Sequence, residues 1–116
     1  MREVPVGEPG VALLADLGVV PGTPVTLLQF SSAFCAPCRA TRVTCGRVAA
    51  ELAGVRHVEV DAESHLDAVR ALGVWRTPTV FLVDANGRIA ARITGAPRRE
   101  QLLTAIEPLL TREARA

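Results

Sequence analysis

The chain contains no lysine: all thirteen basic residues are arginine, set against twelve acidic residues for a net charge of +1. Charges of both signs are interspersed, so there is no basic stripe of the kind that tracks a nucleic-acid backbone, and a nucleic-acid partner is not expected. The arginine bias itself says nothing about mechanism. No apolar run reaches the eighteen residues that a membrane-spanning helix needs, and no charged-then-apolar signal region opens the chain. These absences describe a soluble chain that does not insert into a membrane, expected in the cytoplasm as a monomer. The alternative is an exported or anchored domain whose targeting segment lies outside these residues. With three cysteines and two histidines, ligands for a metal are scarce. What is present is apolar: 49% of the 116 residues are hydrophobic, which suits one domain of ordinary size with a real core.

From Met1 to about Pro24 the chain carries Pro5, Pro9, Pro21, Pro24 and four glycines, with Val11–Leu17 as a short helix between them. This reads as an irregular lead-in over residues 1–24, followed by a domain over residues 25–116. Val25–Phe30 is a short apolar run between proline and serine, which suits a strand covered on both faces. Cys35–Leu52 reads as a helix, with Cys38, Thr41, Cys45, Val48 and Leu52 at helical spacing and Gly54 beyond its end. Val55–Val60 is a second strand, and Leu66–Leu72 a helix capped by Ser64 and stopped by Gly73. Thr79–Val83 and Arg88–Ile93 form a hairpin through Asp84-Ala85-Asn86-Gly87, whose Asn-Gly is a turn signal. From Arg98 on, Leu102, Leu103, Ile106, Leu109 and Leu110 give the closing helix an apolar face. The order β-α-β-α-β-β-α predicts an α/β domain, a mixed central sheet with helices on both faces.

Chemistry concentrates at Cys35-Ala36-Pro37-Cys38, where a strand feeds a helix. Residues three apart on a helix are neighbours, and their separation suits a disulfide, so a reversible dithiol is the first reading. Cys35 falls at the helix N-terminus, where orphan N–H groups and the helix dipole stabilise an anion and thiols ionise more readily. It is the expected nucleophile, with Cys38, one turn in, attacking second. Pro37 fits the first turn because its missing N–H needs no partner there. Half of a zinc site is the alternative, but the chain completes it poorly. Cys45 lies seven residues beyond Cys38, about 10 Å along the axis, and neither His57 nor His65 has ligand spacing. Cys45 reads as a buried small hydrophobe and His65 as a solvated surface residue. Arg39 after Cys38 excludes c-type haem attachment.

Phe34-Cys35-Ala36-Pro37-Cys38-Arg39 resembles the active-site segment of the thioredoxin superfamily, and Val74-Trp75-Arg76-Thr77-Pro78-Thr79 resembles its second signature. Asn86-Gly87 and Gly95 fall where the family has a hairpin turn and a late glycine. The resemblance runs from about Val25 to Leu110. It implies a thioredoxin fold, a cis bond before Pro78 beside the dithiol, and a Thr77 backbone turned outward to pair with an extended substrate. It also implies a Thr77 hydroxyl near the sulfurs. Trp75 and Arg76 become candidates for substrate contact, or else a lid on the core and a solvated cation; Gly95 would flank the same groove.

The chain departs from the family's pattern at several places. Gln29 stands where strongly reducing members keep a buried carboxylate behind the second cysteine, and an amide accepts no proton at neutral pH. His57 aligns with a basic position near that carboxylate and could assist deprotonation of Cys38. Phe34 replaces a tryptophan while keeping an apolar rim, and Val43 replaces a kinking proline, so a straighter helix is expected. Ala36-Pro37 is close to the Gly-Pro of reducing members. The resemblance therefore implies a thiol-disulfide oxidoreductase acting on protein disulfides, in the reducing direction, with no cofactor or metal and with an electron-donor reductase as partner. A non-catalytic binding module of the same fold, or a chaperone holding Cu(I) between Cys35 and Cys38, are the alternatives.

Overall fold

The computed structural model describes residues 8–115. Residues 1–7 of the irregular lead-in, Pro5 among them, lie outside the described residues. The elements in chain order are α1 (Glu8–Asp16), β1 (Val25–Ser31), α2 (Ala36–Glu51), β2 (Val55–Asp61), a short 3-10 turn (Ala62–Ser64), α3 (Leu66–Leu72), β3 (Thr79–Asp84), β4 (Ile89–Thr94) and α4 (Arg99–Arg115). The sheet runs β2-β1-β3-β4, with β1 parallel to β2 and antiparallel to β3, and β3 antiparallel to β4. Among the described residues no helix is long and apolar enough to cross a membrane.

The sheet divides the core into two layers, and the alternation of a strand's side chains decides which residue enters which. Leu28 and Phe30 of β1 face one way, joining Leu14 and Leu17 at α1, Ala68 and Leu72 of α3, and Phe81 and Val83 of β3. Val25 and Leu27 face the other way, against Cys45 and Val48 of α2 and Leu102, Ile106 and Leu109 of α4. Because β1 is central and covered on both sides, all seven of its residues are buried. That is why it reads as a continuous apolar run and not as an alternating one. At the middle of the first layer the Phe30 and Phe81 rings meet edge to face, their centroids 5.9 Å apart.

One local feature differs from what the sequence suggests, and two more shape the elements. Ser64 does not cap α3: it ends the 3-10 turn and donates its hydroxyl to Asp61 Oδ2 at 2.7 Å, and the cap position belongs to His65, which makes no side-chain cap bond. Asp61 captures Ser64 because its carboxylate already organises that turn, accepting the Glu63 N–H at 3.1 Å. The Asn86-Gly87 turn spans four residues, with Gly87 at φ 79° and Asp84 Oδ1 accepting the amides of Asn86 and Arg88, both at 2.9 Å. Pro108 lies inside α4, where a proline removes one intrahelical bond; it sits on the exposed side, away from Leu102, Ile106 and Leu109.

Phe30→Ala would open a cavity between α1, α3 and the sheet. A loss of about 3–5 kcal/mol in unfolding free energy is expected, measured by denaturant titration.

Candidate active site

The strand-to-helix junction after β1 carries the cysteines. Cys35 is the N-cap of α2, with extended backbone angles (φ −106°, ψ 102°), and its carbonyl accepts the first intrahelical bond from the Arg39 N–H at 3.2 Å. Its Sγ takes the place of a capping oxygen, accepting the Cys38 N–H at 3.1 Å. Pro37 occupies the first turn, where it strands no donor, and its carbonyl accepts the Thr41 hydroxyl at 2.8 Å. Cys35 and Cys38 are joined as a disulfide, with Cα atoms 5.1 Å apart. Their exposures differ: Cys35 is half-buried between exposed Phe34 and Ala36, whereas Cys38 is buried.

Behind Cys38 lies a chain of polar side chains on the α2 face of the sheet. Gln29, fully buried on β1, donates from Nε2 to the Cys38 carbonyl at 2.9 Å and to Ser31 Oγ at 2.9 Å. A carbonyl can only accept, so this bond fixes the amide's orientation and points Oε1 at His57 Nε2, 2.8 Å away. The neutral imidazole must therefore carry its proton on Nε2. Ser31 passes its own hydrogen to Glu59 Oε2 at 2.8 Å. Arg42, one helical turn beyond Cys38, grips the same carboxylate with Nε at 2.6 Å and a terminal nitrogen at 3.0 Å.

The charges settle accordingly. The Arg42 guanidinium, with help from Ser31, holds the Glu59 carboxyl below its ordinary 4.5. Burial holds His57 below its ordinary 6.5, against the opposing pull of Glu59. Burial, with Glu59 adding to it, pushes the Cys45 thiol up to about 12. Cys45 lies in the layer between α2 and α4, and its thiol is a packing group.

The second wall is the loop from α3 to β3. The Thr77–Pro78 peptide bond is cis. The Thr77 hydroxyl is paired with Ser32 Oγ at 2.6 Å, which ties this loop to the segment leading into Cys35. The Thr79 hydroxyl closes the loop onto the Arg76 carbonyl at 2.6 Å, and the Gly95 N–H donates to the Pro78 carbonyl at 2.8 Å. Trp75 is 73% exposed, so it is no lid on the core, and Arg76 lies over its ring at 5.7 Å. Phe34 is fully exposed and adopts a left-handed backbone (φ 57°), costly for a bulky residue.

The structure thus brings Cys35, Cys38, Gln29 and His57 together, with Thr77, Pro78 and Gly95 in an adjoining wall and Trp75 and Arg76 on the exposed part of the same loop. His65 is exposed at the start of α3, with Nδ1 3.0 Å from the Asp61 carbonyl. Sequence reasoning missed Ser31, Ser32, Arg42 and Glu59. Glu59 could have been found: it is Gln29's partner in the parallel register and shares a strand face with His57.

A family model described as thioredoxin matches residues 19–108. The chain belongs to the thioredoxin family. Solved thioredoxins share its fold. Mitochondrial thioredoxin 3 of Saccharomyces cerevisiae, in its oxidised form, is 21% identical with a TM-score of 0.69, covering 83% of this chain and 89% of that one. A mutant thioredoxin of Halobacterium salinarum is 23% identical with a TM-score of 0.71, covering 83% and 81%. The short form of thioredoxin f from spinach chloroplast is 22% identical with a TM-score of 0.68, covering 94% and 90%. No curated protein matches the chain. Like these thioredoxins, it places helices on both faces of a mixed sheet.

Two outcomes test this electrostatic picture of the thioredoxin-family site. His57 takes up a proton less readily when folded, so the unfolded state binds more protons and stability falls as pH drops below 6.5; Glu59 adds a further loss below 4.5. His57→Gln should flatten the upper part of that decline in unfolding midpoints measured across pH, leaving the lower part in place. In the reduced protein at pH 7, iodoacetamide should leave Cys45 unlabelled until denaturant is added, as read by mass.

Proposed function

We propose that this thioredoxin-family chain is a thiol-disulfide oxidoreductase that reduces disulfides in other proteins through Cys35 and Cys38. The observation that carries the reading is the placing of the two sulfurs. Cys35 Sγ receives the Cys38 N–H at the N-terminus of α2 and is partly open to solvent, while Cys38 is buried one turn behind it. An amide hydrogen and the positive end of a sixteen-residue helix both favour a thiolate at Cys35.

In the reduced state the Cys35 thiolate attacks one sulfur of a substrate disulfide. A Cys35–substrate bond forms, and the other substrate sulfur leaves as a thiolate that takes a proton from water. Cys38 then loses its proton, attacks Cys35 Sγ and releases the second substrate thiolate. The substrate gains two electrons and two protons, and the enzyme is left as the Cys35–Cys38 disulfide. The pair carries the electrons itself, so the reading invokes no cofactor or metal, and a donor reductase restores the dithiol. Gln29 and Glu59 do not serve as the base for Cys38. The amide has no basic site at neutral pH, and Arg42 lowers the proton affinity of the Glu59 carboxylate below that of an ordinary carboxyl. The proton leaves to water or to the departing substrate thiolate; His57 stands on the far side of the Gln29 amide, with its Nε2 hydrogen turned to Gln29 Oε1.

The substrate enters as an extended segment along the Thr77–Pro78 backbone, flanked by Phe34, Trp75, Arg76 and Gly95, in a form of strand addition. The reducing direction rests on the likeness of Ala36-Pro37 to the Gly-Pro of reducing relatives, because dithiols of this kind span about −270 to −120 mV. The compartment in this reading is the cytoplasm.

Insulin reduction with dithiothreitol as donor tests the activity. Turnover is expected in the wild type and should disappear in Cys35→Ser; a wild type that does no better than dithiothreitol alone would leave a binding module. Cys38→Ser should accumulate mixed disulfides with protein substrates, identified by mass. Captured partners that are all secreted would move the protein out of the cytoplasm.

A further inference from the structure

Arg92 lies outside the dithiol and its polar chain. It sits on β4 opposite Phe81, and its guanidinium lies over that ring, 5.0 Å from the centroid. From there one terminal nitrogen donates to the Gly73 carbonyl at 2.9 Å and the other to the Leu72 carbonyl. These carbonyls are at the end of α3, where the helix leaves acceptors without partners of its own. Gly73 turns the chain through a left-handed conformation (φ 66°), and the Val74 N–H returns to the Val69 carbonyl at 2.9 Å.

The next residues are the wall of the site, Val74-Trp75-Arg76-Thr77-Pro78. Its far end is tied by Thr79 to the Arg76 carbonyl, by Ser32 to Thr77 and by Gly95 to Pro78. Arg92 ties the near end to the sheet. Its planar fork holds two carbonyls at once, which an ammonium group does not reproduce. The ring beneath it restricts the guanidinium to that plane.

We propose that Arg92 is a positioning residue for polypeptide substrates. By fixing where the loop leaves α3, it sets the gap between Thr77 and Cys35 that an extended chain must enter. The proposal rests on the oxidoreductase reading and adds a selectivity to it. A disulfide without peptide groups has no backbone to pair along the loop, so Arg92 discriminates between protein disulfides and non-peptide ones.

Arg92→Gln and Arg92→Lys, compared on insulin and on bis(2-hydroxyethyl) disulfide, which has no peptide groups, test this. In Arg92→Gln the KM for insulin should rise about fivefold with kcat within about twofold, while kcat/KM for the small disulfide changes by less than about twofold. Arg92→Lys should fall between that variant and the wild type. An unchanged KM for insulin, or an equal loss on both substrates, overturns the proposal. If Arg92→Gln does not fold, Arg92→Lys is judged by the same criteria. Trp75 is the chain's one tryptophan, so fluorescence anisotropy reports the loop without any turnover. Lower anisotropy in the variants supports the fastening and unchanged anisotropy overturns it, even if the wild type reduces neither substrate and the oxidoreductase reading itself fails.

Discussion

One buried amide sets the position of the dithiol. Gln29 lies on the central strand with no solvent contact, and its two hydrogens go to the Cys38 carbonyl and to Ser31 while its oxygen faces His57. A buried polar group left without partners costs about 1–3 kcal/mol, so these bonds hold α2 over β1 at one height. An aliphatic residue of the same size would fill the space without fastening anything. The N-cap at Cys35, the Thr41 bond to the Pro37 carbonyl and the paired sulfurs all build outward from that anchored first turn.

The same amide separates the buried cysteine from the nearest carboxylate. The family resemblance implies an acid at this place on the central strand, where this chain has Gln29. Here the acid stands one strand over, at Glu59, where Ser31 and, at 3.4 Å, the Gln29 amide meet it on one side and Arg42 closes it off on the other. A carboxylate paired in this way stays ionised through the neutral range. The interior next to Cys38 therefore holds an amide, a hydroxyl and a neutral imidazole, and its charges lie toward the edge.

Much of this architecture was legible in the residues. Val25–Phe30 reads as a doubly covered strand because the chain is apolar there without alternation, and the helical spacing of Cys38, Thr41, Cys45 and Val48 marks the buried stripe of α2. The dithiol was legible from its own spacing, and the cis bond at Pro78 from family likeness alone, since local sequence favours trans. What escaped depends on register between distant segments. Glu59 meets Ser31 and Arg42 only once β1 and β2 pair in parallel. Arg92 meets α3 only once β4 lies beside β3. Ser64 misled because a capping residue and a turn residue have the same chemistry, and Asp61 claims its hydroxyl.

Phe34 places the interests of the folded state and of the rim in opposition. Its ring is out in water, stabilising nothing within the chain, and its backbone is in a region that asparagine or glycine occupies more cheaply. Selection for heat resistance alone would drift this position toward those residues and strip the mouth of the dithiol of its aromatic edge. With a phenylalanine at this position, a costly backbone and a bare aromatic edge at the mouth of the dithiol meet in one residue, where durability and contact with other molecules trade against each other.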